Sequence, residues 1–135
     1  MSAGYSKRTL VQKLGIKPGA RVWLVNPPEH YDRTLGPLPE GAVCIDDATD
    51  DLDFIHYFAT RAEGLAADFP RLKNRLARDG MLWLSWPKGG SAMAADLNRE
   101  DVRRIGLANG LVDVKVCAVD ADWSGLKFVY RREDR

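Results

Sequence analysis

Short apolar runs alternate with amphipathic segments along the chain. Four runs are rich in Val, Ile, Leu, Phe and Trp, namely residues 21–25 (RVWLV), 42–45 (AVCI), 53–60 (DFIHYFAT) and 81–86 (MLWLSW). Nearly continuous hydrophobicity over so short a length is typical of strands that are covered on both faces, as in parallel sheets. The pattern therefore predicts four buried strands in this order.

The longest amphipathic segment lies between the third and fourth strands, over residues 61–78. Its apolar residues recur at spacings of four, three and four, which places them on one helix face: Leu65, Phe69, Leu72 and Leu76. Pro70 predicts a kink or a break in this helix, because proline lacks the N–H that the helix interior requires. The pair Asp79-Gly80 predicts the turn at its end.

Two shorter helices are predicted outside this segment. The first begins at a capping Ser6 and ends at Leu14, with Gly15 just past its end. The second begins at Asn98 and ends at Asn109-Gly110, and it packs through Val102 and Ile105.

The end of the chain predicts a hairpin. Residues 111–119 alternate valines with polar residues, residues 126–131 (LKFVYR) are a second strand-like run, and the six residues DADWSG join them. Strands separated by helices imply a parallel sheet with right-handed crossovers. We therefore predict an α/β fold for residues 1–135: a single small domain with a mostly parallel sheet of about six strands that ends in an antiparallel β-hairpin, and helices on both faces.

The composition narrows the classes of partner. The 135 residues carry 20 Lys and Arg against 19 Asp and Glu, so no global field attracts nucleic acid or an anionic membrane. Any anion site must therefore be local. No apolar stretch is long enough for a membrane span, and the N-terminus lacks the features of a signal peptide, which predicts a cytoplasmic protein. Cys44 and Cys117 lie inside strand-like runs and are expected as small buried thiols without a disulfide.

Three stretches together resemble a bacterial family known as domain of unknown function 3052: LGIKPGARVWLVNPPEHY, LWLSWPKG and VKVCAVDADWSGLKFVYRR. This resemblance implies a fold and no activity. More distantly, the order of elements resembles the Rossmann-like fold of S-adenosylmethionine-dependent methyltransferases, which implies S-adenosylmethionine as a candidate cofactor.

The departures from the methyltransferases weigh against catalysis. Those enzymes carry a glycine-rich turn after the first strand, whereas this chain has Asn26-Pro27-Pro28-Glu29 there. Two prolines cannot supply the usual row of backbone donors. Asn-Pro-Pro also resembles a motif of amino-methyltransferases, but Glu29 stands where that motif has an aromatic residue. The alternative is a rigid turn that ends the strand.

Loops at the carboxyl ends of the predicted parallel strands supply the main candidate site. In open α/β sheets, ligands bind at these ends, near the point where strand order reverses. The candidates that this rule selects are Asn26, Pro27, Thr60, Arg61, Trp86, Lys88, Gly89 and Ser91, together with Asp46 after the second strand. Arg61 and Lys88 would hold a carboxylate or phosphate, and Trp86 would stack on a ring or a cation. The competing interpretation makes Trp86 a core residue and Lys88 a solvated one.

Other candidates are weaker. Trp123, Ser124 and Lys127 form a second cluster in the predicted hairpin loop. Asp46 or Asp47 can hold a ribose or simply surround a solvated turn, and no metal site is expected because His30 and His56 are isolated from other metal ligands.

Three functions remain open. The first is a noncatalytic, degenerate methyltransferase-like domain that binds a small anionic molecule at the rim. The second is an S-adenosylmethionine-binding methyltransferase remnant. The third is a protein-interaction module in which exposed Trp86 and Trp123 form a hot spot. Nucleic-acid binding and membrane binding are not expected.

Overall fold

The computed structural model describes residues 8–45, 49–90 and 95–135. The strands there are β1 (Arg21–Val25), β2 (Val43–Cys44), β3 (Leu52–Phe58), β4 (Leu76–Pro87), β5 (Leu111–Ala118) and β6 (Trp123–Tyr130). The helices are α1 (Leu10–Leu14), α2 (Tyr31–Leu35), α3 (Ala62–Arg75) and α4 (Arg99–Ala108), and a 3-10 turn covers Arg132–Asp134.

The strands form one six-stranded sheet in the order β2-β1-β3-β4-β6-β5. The first four positions are parallel, and β6 runs antiparallel to both β4 and β5. The chain moves from β1 outward to β2 and then back across β1 to β3, so strand order reverses between β1 and β3. This confirms the predicted α/β fold with a mostly parallel sheet and a final antiparallel hairpin.

Helices cover both faces of this sheet because the central strands are apolar on both sides. Along β3, Phe54 and Phe58 face α1 and α2, while Ile55 and Tyr57 face α3 and α4. The core on the α3 side contains the predicted leucines and Phe69, which are fully buried. The core on the α1 side is rich in aromatic rings, namely Tyr31, Phe54, Phe58, Trp83 and Trp123.

The predicted end of the long helix is wrong. Helix α3 ends at Arg75, and the following residues belong to β4, where Leu76 pairs with Leu52. A Cβ on Gly80 would lie 2.8 Å from the carbonyl oxygen of Leu52, so the glycine permits a close backbone approach inside an irregular stretch of the β3–β4 pairing. The pair Asp79-Gly80 is therefore part of a strand and is not a turn.

The predicted break at Pro70 is also absent, since α3 runs through it as one helix. Pro70 and the residue four positions earlier, Ala66, are both exposed. The carbonyl that loses its helical donor therefore faces water, which lowers the cost of the proline. At the other helix ends, Asn98 caps α4 as predicted, whereas α1 begins at Leu10 and its cap is Thr9. Ser6 lies outside the described residues.

The edge strands correct two further expectations. Strand β5 pairs with β6 only, and its Val114 and Val116 are 53% and 47% exposed, so the alternation of valines does not mark a buried face. Cys44 on the other edge strand is exposed and Cys117 on β5 is half-buried, and neither forms a disulfide. Edge position explains both results, because an edge strand has a neighbour on one side only. None of the described helices is long and apolar enough to cross a membrane.

Two helical glycines give a test of this packing. A Cβ on Gly106 in α4 would lie 2.0 Å from the ring of Phe128, which is fully buried, whereas a Cβ on Gly64 in α3 meets nothing within 4 Å. We expect Gly106→Ala to lower the free energy of unfolding by about 1–3 kcal/mol through overpacking. Gly64→Ala should raise it by up to about 1 kcal/mol through helix propensity. Urea denaturation measures both, and equal effects would contradict the described contact between α4 and β6.

Candidate functional site

The carboxyl ends of β1 and β3 flank the point where strand order reverses. Strand β1 ends at Val25 and is followed by Asn26, whose φ of 56° is left-handed. Asparagine is among the few residues with a side chain that adopt this conformation readily. Strand β3 ends at Phe58 and is followed by Thr60 and Arg61, both exposed. The predicted rim residues of these two strands thus meet.

A cavity of about 290 Å³ lies between these two strand ends. Its lining residues are Asn26, Tyr57, Phe58, Ala59, Thr60, Arg61, Gly64, Leu65 and Trp123. It therefore joins three predicted rim residues to Trp123, which the sequence assigned to the second cluster. Arg61 supplies the charge of the lining, and the hydroxyl of Tyr57 donates to the carboxylate of Asp68 at 2.5 Å.

A second hollow of about 350 Å³ adjoins the first and is lined by Thr60, Arg61, Ala95 and Asp96. Asp96 is bound to the start of α3 in two ways. Its carboxylate accepts the N–H of Ala62 at 2.6 Å, and its own N–H donates to the carbonyl of Thr60 at 3.1 Å. The carboxylate of Asp96 thus accepts a hydrogen bond from an N–H group at the start of α3. The sequence patterns did not point to Asp96 as a site residue.

The fourth-strand part of the predicted rim is different. Trp86 is only 6% exposed and packs in the core on the α3 side, so it does not offer a face for stacking. This result follows from alternation, because Leu82, Leu84 and Trp86 point to the same side of β4. Pro27, Lys88 and Gly89 do not line the two hollows, and the N–H of Lys88 donates to the carbonyl of Asp122. Asp46 and Ser91 lie outside the described residues.

The second predicted cluster does not form as a loop. Trp123, Ser124 and Lys127 all belong to β6, because this strand begins earlier than the sequence pattern indicated. Trp123 is 7% exposed and packs edge-on against Phe58. Since Trp86 and Trp123 are both buried, the expectation of an exposed tryptophan hot spot is wrong.

Three polar side chains meet inside the core on the α1 side. His56 in β3 is fully buried, with Nδ1 2.6 Å from the hydroxyl of Tyr31 in α2 and Nε2 2.7 Å from Oγ of Ser85 in β4. A neutral imidazole has one N–H and one bare nitrogen, so one hydroxyl accepts and the other donates. Every polar atom of this chain of bonds is therefore satisfied.

Burial lowers the pKa of His56 to about 3 and raises the pKa of Tyr31. The group is therefore a neutral, hydrogen-bonded cluster at ordinary pH, in which His56 stacks on Phe58 with ring centroids 4.1 Å apart. Phe58 also lines the cavity, so the cluster supports the wall of the site. Ser85 is 1% exposed and has no route to a substrate in this arrangement.

A signal for this cluster is present in the sequence. His56 and Ser85 each stand as a polar residue within an apolar run, DFIHYF and MLWLSW. A polar group in a strand buried on both faces must find a partner inside the fold. His56 is isolated from metal ligands but not from hydrogen-bonding partners. One polar residue in each of two adjacent buried strands predicts a hydrogen bond between those two residues.

Comparisons with known proteins match the fold alone. No family model matches the chain, and no curated protein does either. Among solved structures, an S-adenosylmethionine-dependent methyltransferase from Aquifex aeolicus aligns with a TM-score of 0.64 at 14% identity, covering 88% of this chain and 86% of that one. A TehB-like methyltransferase from Corynebacterium glutamicum aligns with a TM-score of 0.56 at 12% identity, covering 96% of this chain and 91% of that one. The chain has a methyltransferase-like Rossmann fold.

Fibrillarin from Aeropyrum pernix, solved with bound S-adenosylmethionine, aligns similarly, with a TM-score of 0.59 at 12% identity over 89% of this chain and 73% of that one. In this methyltransferase-like domain, Asn26 adopts after β1 the left-handed conformation that favours glycine. The turn is therefore made without glycine. Pro27 and Pro28 still leave two N–H donors fewer than a glycine-rich turn provides.

The buried histidine makes stability depend on pH. Burial lowers the pKa of His56 to about 3 in the folded protein from its ordinary value of 6.5, so between these values the unfolded chain binds a proton that the folded chain does not. The free energy of unfolding should therefore fall as the pH decreases from about 6.5 toward 3, with a limiting contribution of about 1.4 kcal/mol per pH unit.

We expect His56→Gln to flatten this slope, measured by urea denaturation at several pH values. His30 is the other histidine of the chain and is exposed, so His30→Gln serves as the matched control and should keep the wild-type slope. If His56→Gln and wild type lost stability in parallel, the buried neutral histidine would be refuted.

Proposed function

We propose that this domain binds a small molecule with an anionic group in the cavity at the carboxyl ends of β1 and β3. The observation that carries the proposal is the cavity itself, which lies at the reversal of strand order and is lined by Asn26, Thr60 and Arg61. Open α/β sheets bind ligands at this position for a geometric reason: the loops that leave β1 and β3 diverge to opposite faces and leave a crevice.

The lining favours a ligand with both an apolar and an anionic part. Phe58, Leu65 and Trp123 offer apolar walls, while Asn26 and Thr60 offer hydrogen-bonding groups. Arg61 is exposed and can form a paired, charge-assisted contact with a carboxylate or a phosphate. We therefore assign the anionic group of the ligand to the guanidinium of Arg61.

Asp96 sets the direction of approach. Its carboxylate accepts the N–H of Ala62, so an anion that reached the start of α3 would have to displace it. The anion therefore stays on the Arg61 side of the hollow, and a ligand ammonium group can approach Asp96. Arg61 and Asp96 thus suit a ligand that carries opposite charges on neighbouring groups.

The second candidate is an S-adenosylmethionine-binding methyltransferase remnant. The neighbours in fold support it, since the fibrillarin that aligns with this chain was solved with that molecule. S-adenosylmethionine carries a carboxylate and an ammonium group on its methionine part, and an adenine ring whose faces can pack on apolar walls, which fits the same lining. We propose binding without assigning a reaction, because Ser85 and His56 are enclosed in the core.

Calorimetry with three probes tests both candidates. Adenosine lacks an anion, adenosine monophosphate carries a phosphate, and S-adenosylhomocysteine carries a carboxylate and an ammonium group. We expect both charged probes to bind more tightly than adenosine. Arg61→Gln should weaken the binding of each charged probe by at least about tenfold, the equivalent of about 1.4 kcal/mol. Arg104→Gln on the exposed side of α4 is the matched control and should leave binding unchanged.

Two results would count against the proposal. If adenosine bound as tightly as the charged probes, the assignment of the anion to Arg61 would be wrong. If all three probes gave no heat at millimolar concentration, adenosine-type ligands as a class would be excluded from the cavity, including S-adenosylmethionine.

Asp96→Asn tests the direction of approach. The amide oxygen can still accept the N–H of Ala62, so we expect the free energy of unfolding to change by less than about 1 kcal/mol. The loss of a negative charge beside the site should strengthen binding of adenosine monophosphate. The same loss of charge should weaken the binding of S-adenosylhomocysteine if its ammonium group contacts Asp96. Unchanged affinity for both probes would place the ligand away from this residue.

A further inference from the structure

Two lysines stand directly opposite each other in the final hairpin. Lys115 in β5 pairs with Lys127 in β6, so their side chains leave the same face of the sheet. Like charges at directly opposed positions of an antiparallel pair destabilise it. The pair therefore lowers the stability of the hairpin unless something with negative charge lies against it.

The end of α1 lies beside this pair. Lys127 is also opposite Trp83 of β4, and the indole N–H of Trp83 donates to the carbonyl of Leu14 at 2.8 Å. The ammonium group of Lys115 reaches the carbonyl of Lys13 at 3.4 Å. Lys17 follows just after this helix end and is exposed. The two opposed lysines thus lie beside the end of α1, and Lys17 follows that end three residues later in the chain.

The charges on this surface act on one another. Partial burial lowers the pKa of Lys127, and the charges of Lys115 and Lys17 lower it further. Lys115 has a partial explanation as a structural residue, because cations near the C-terminal end of a helix are stabilised by its last carbonyls. Lys17 and Lys127 make no such contact within the described part of the chain.

No ion pair joins an acidic residue to these lysines in the described ranges. The ion pairs there join Arg75 to Asp50, Arg103 to Asp113 and Arg104 to Asp101, and none includes these lysines. Asp53 and Asp79 line a cavity of about 230 Å³ together with Lys17. The carboxylate of Asp53 already accepts the N–H of Arg21 at 2.9 Å, so it is turned toward β1.

We propose that Lys17, Lys115 and Lys127 form a binding site for a small phosphate-bearing anion. A phosphate group offers several oxygens at once, so it can accept hydrogen bonds from more than one ammonium group and remove their mutual repulsion. The site lies on the α1 side of the β5–β6 hairpin, does not include any residue of the cavity at β1 and β3, and does not depend on the function proposed for that cavity.

Thermal unfolding with inorganic pyrophosphate tests this site. Pyrophosphate should raise the melting temperature of the wild-type protein, and sodium chloride at the same ionic strength should not. Lys127→Gln should melt at a higher temperature than wild type without the anion, because repulsion is relieved and this lysine makes no contact with the end of α1 among the described residues. The apparent Kd of Lys115→Gln for pyrophosphate should be at least about tenfold weaker. Lys127→Gln should show the same loss of binding, measured independently by phosphorus NMR.

The controls separate this site from the cavity. Lys88→Gln and Arg104→Gln should keep the full pyrophosphate shift, whereas Arg61→Gln would abolish it if the anion were bound only at the carboxyl ends of the strands. Two outcomes overturn the proposal: pyrophosphate has no more effect than sodium chloride on wild type, or it stabilises Lys115→Gln and Lys127→Gln as much as wild type.

Discussion

The burial of β3 and β4 on both faces is the constraint on which the rest of this structure depends. Helices α3 and α4 cover one face and α1 and α2 cover the other, so side chains of either parity along these strands enter a core. A polar group in such a strand must be paired within the protein, because water cannot reach it. His56 meets this requirement through Tyr31 and Ser85, which also fixes α2 against the sheet.

The same frame separates the two candidate sites. The cavity at β1 and β3 uses the divergence of loops at a reversal of strand order, and its aromatic wall is braced by the buried histidine cluster. The lysine surface uses the antiparallel hairpin and the end of α1 on the other half of the sheet. The cavity is a crevice lined by apolar, polar and charged residues. The lysine surface is positively charged, in a protein whose net charge is only +1.

The sequence predicted the sheet well because strand periodicity depends on local pattern. The mostly parallel sheet with its final antiparallel hairpin, the Asn98 cap and the meeting of Asn26 with Arg61 all follow from such rules. Two positions show why other expectations failed or stayed open, since each depends on a partner distant in sequence. Leu76 fits the helical spacing but pairs with Leu52 in the sheet, and the choice between rim and core for Trp86 depends on α3 and α4, which cover it.

The sequence predicted the position of the candidate site better than the set of residues that line it. Thr60 and Arg61 were candidates because a rule names the ends of strands, whereas Asp96 was not a candidate because its position depends on hydrogen bonds between separate loops. Lys115 and Lys127 could not be paired from the sequence, since a register shift after Asp113 changes which residues oppose one another. Register of this kind is set by tertiary packing.

The turn after β1 has a thermodynamic consequence for any ligand in the cavity. Asn26 is held at a left-handed φ and is followed by two prolines, whose rings fix their own φ angles. Such a segment has little conformational freedom left to lose, so contact with it carries a small entropic penalty. The same stiffness prevents it from folding over a bound molecule. Selectivity at this wall must therefore arise from a fixed shape, and any closure must come from the opposite side of the cavity.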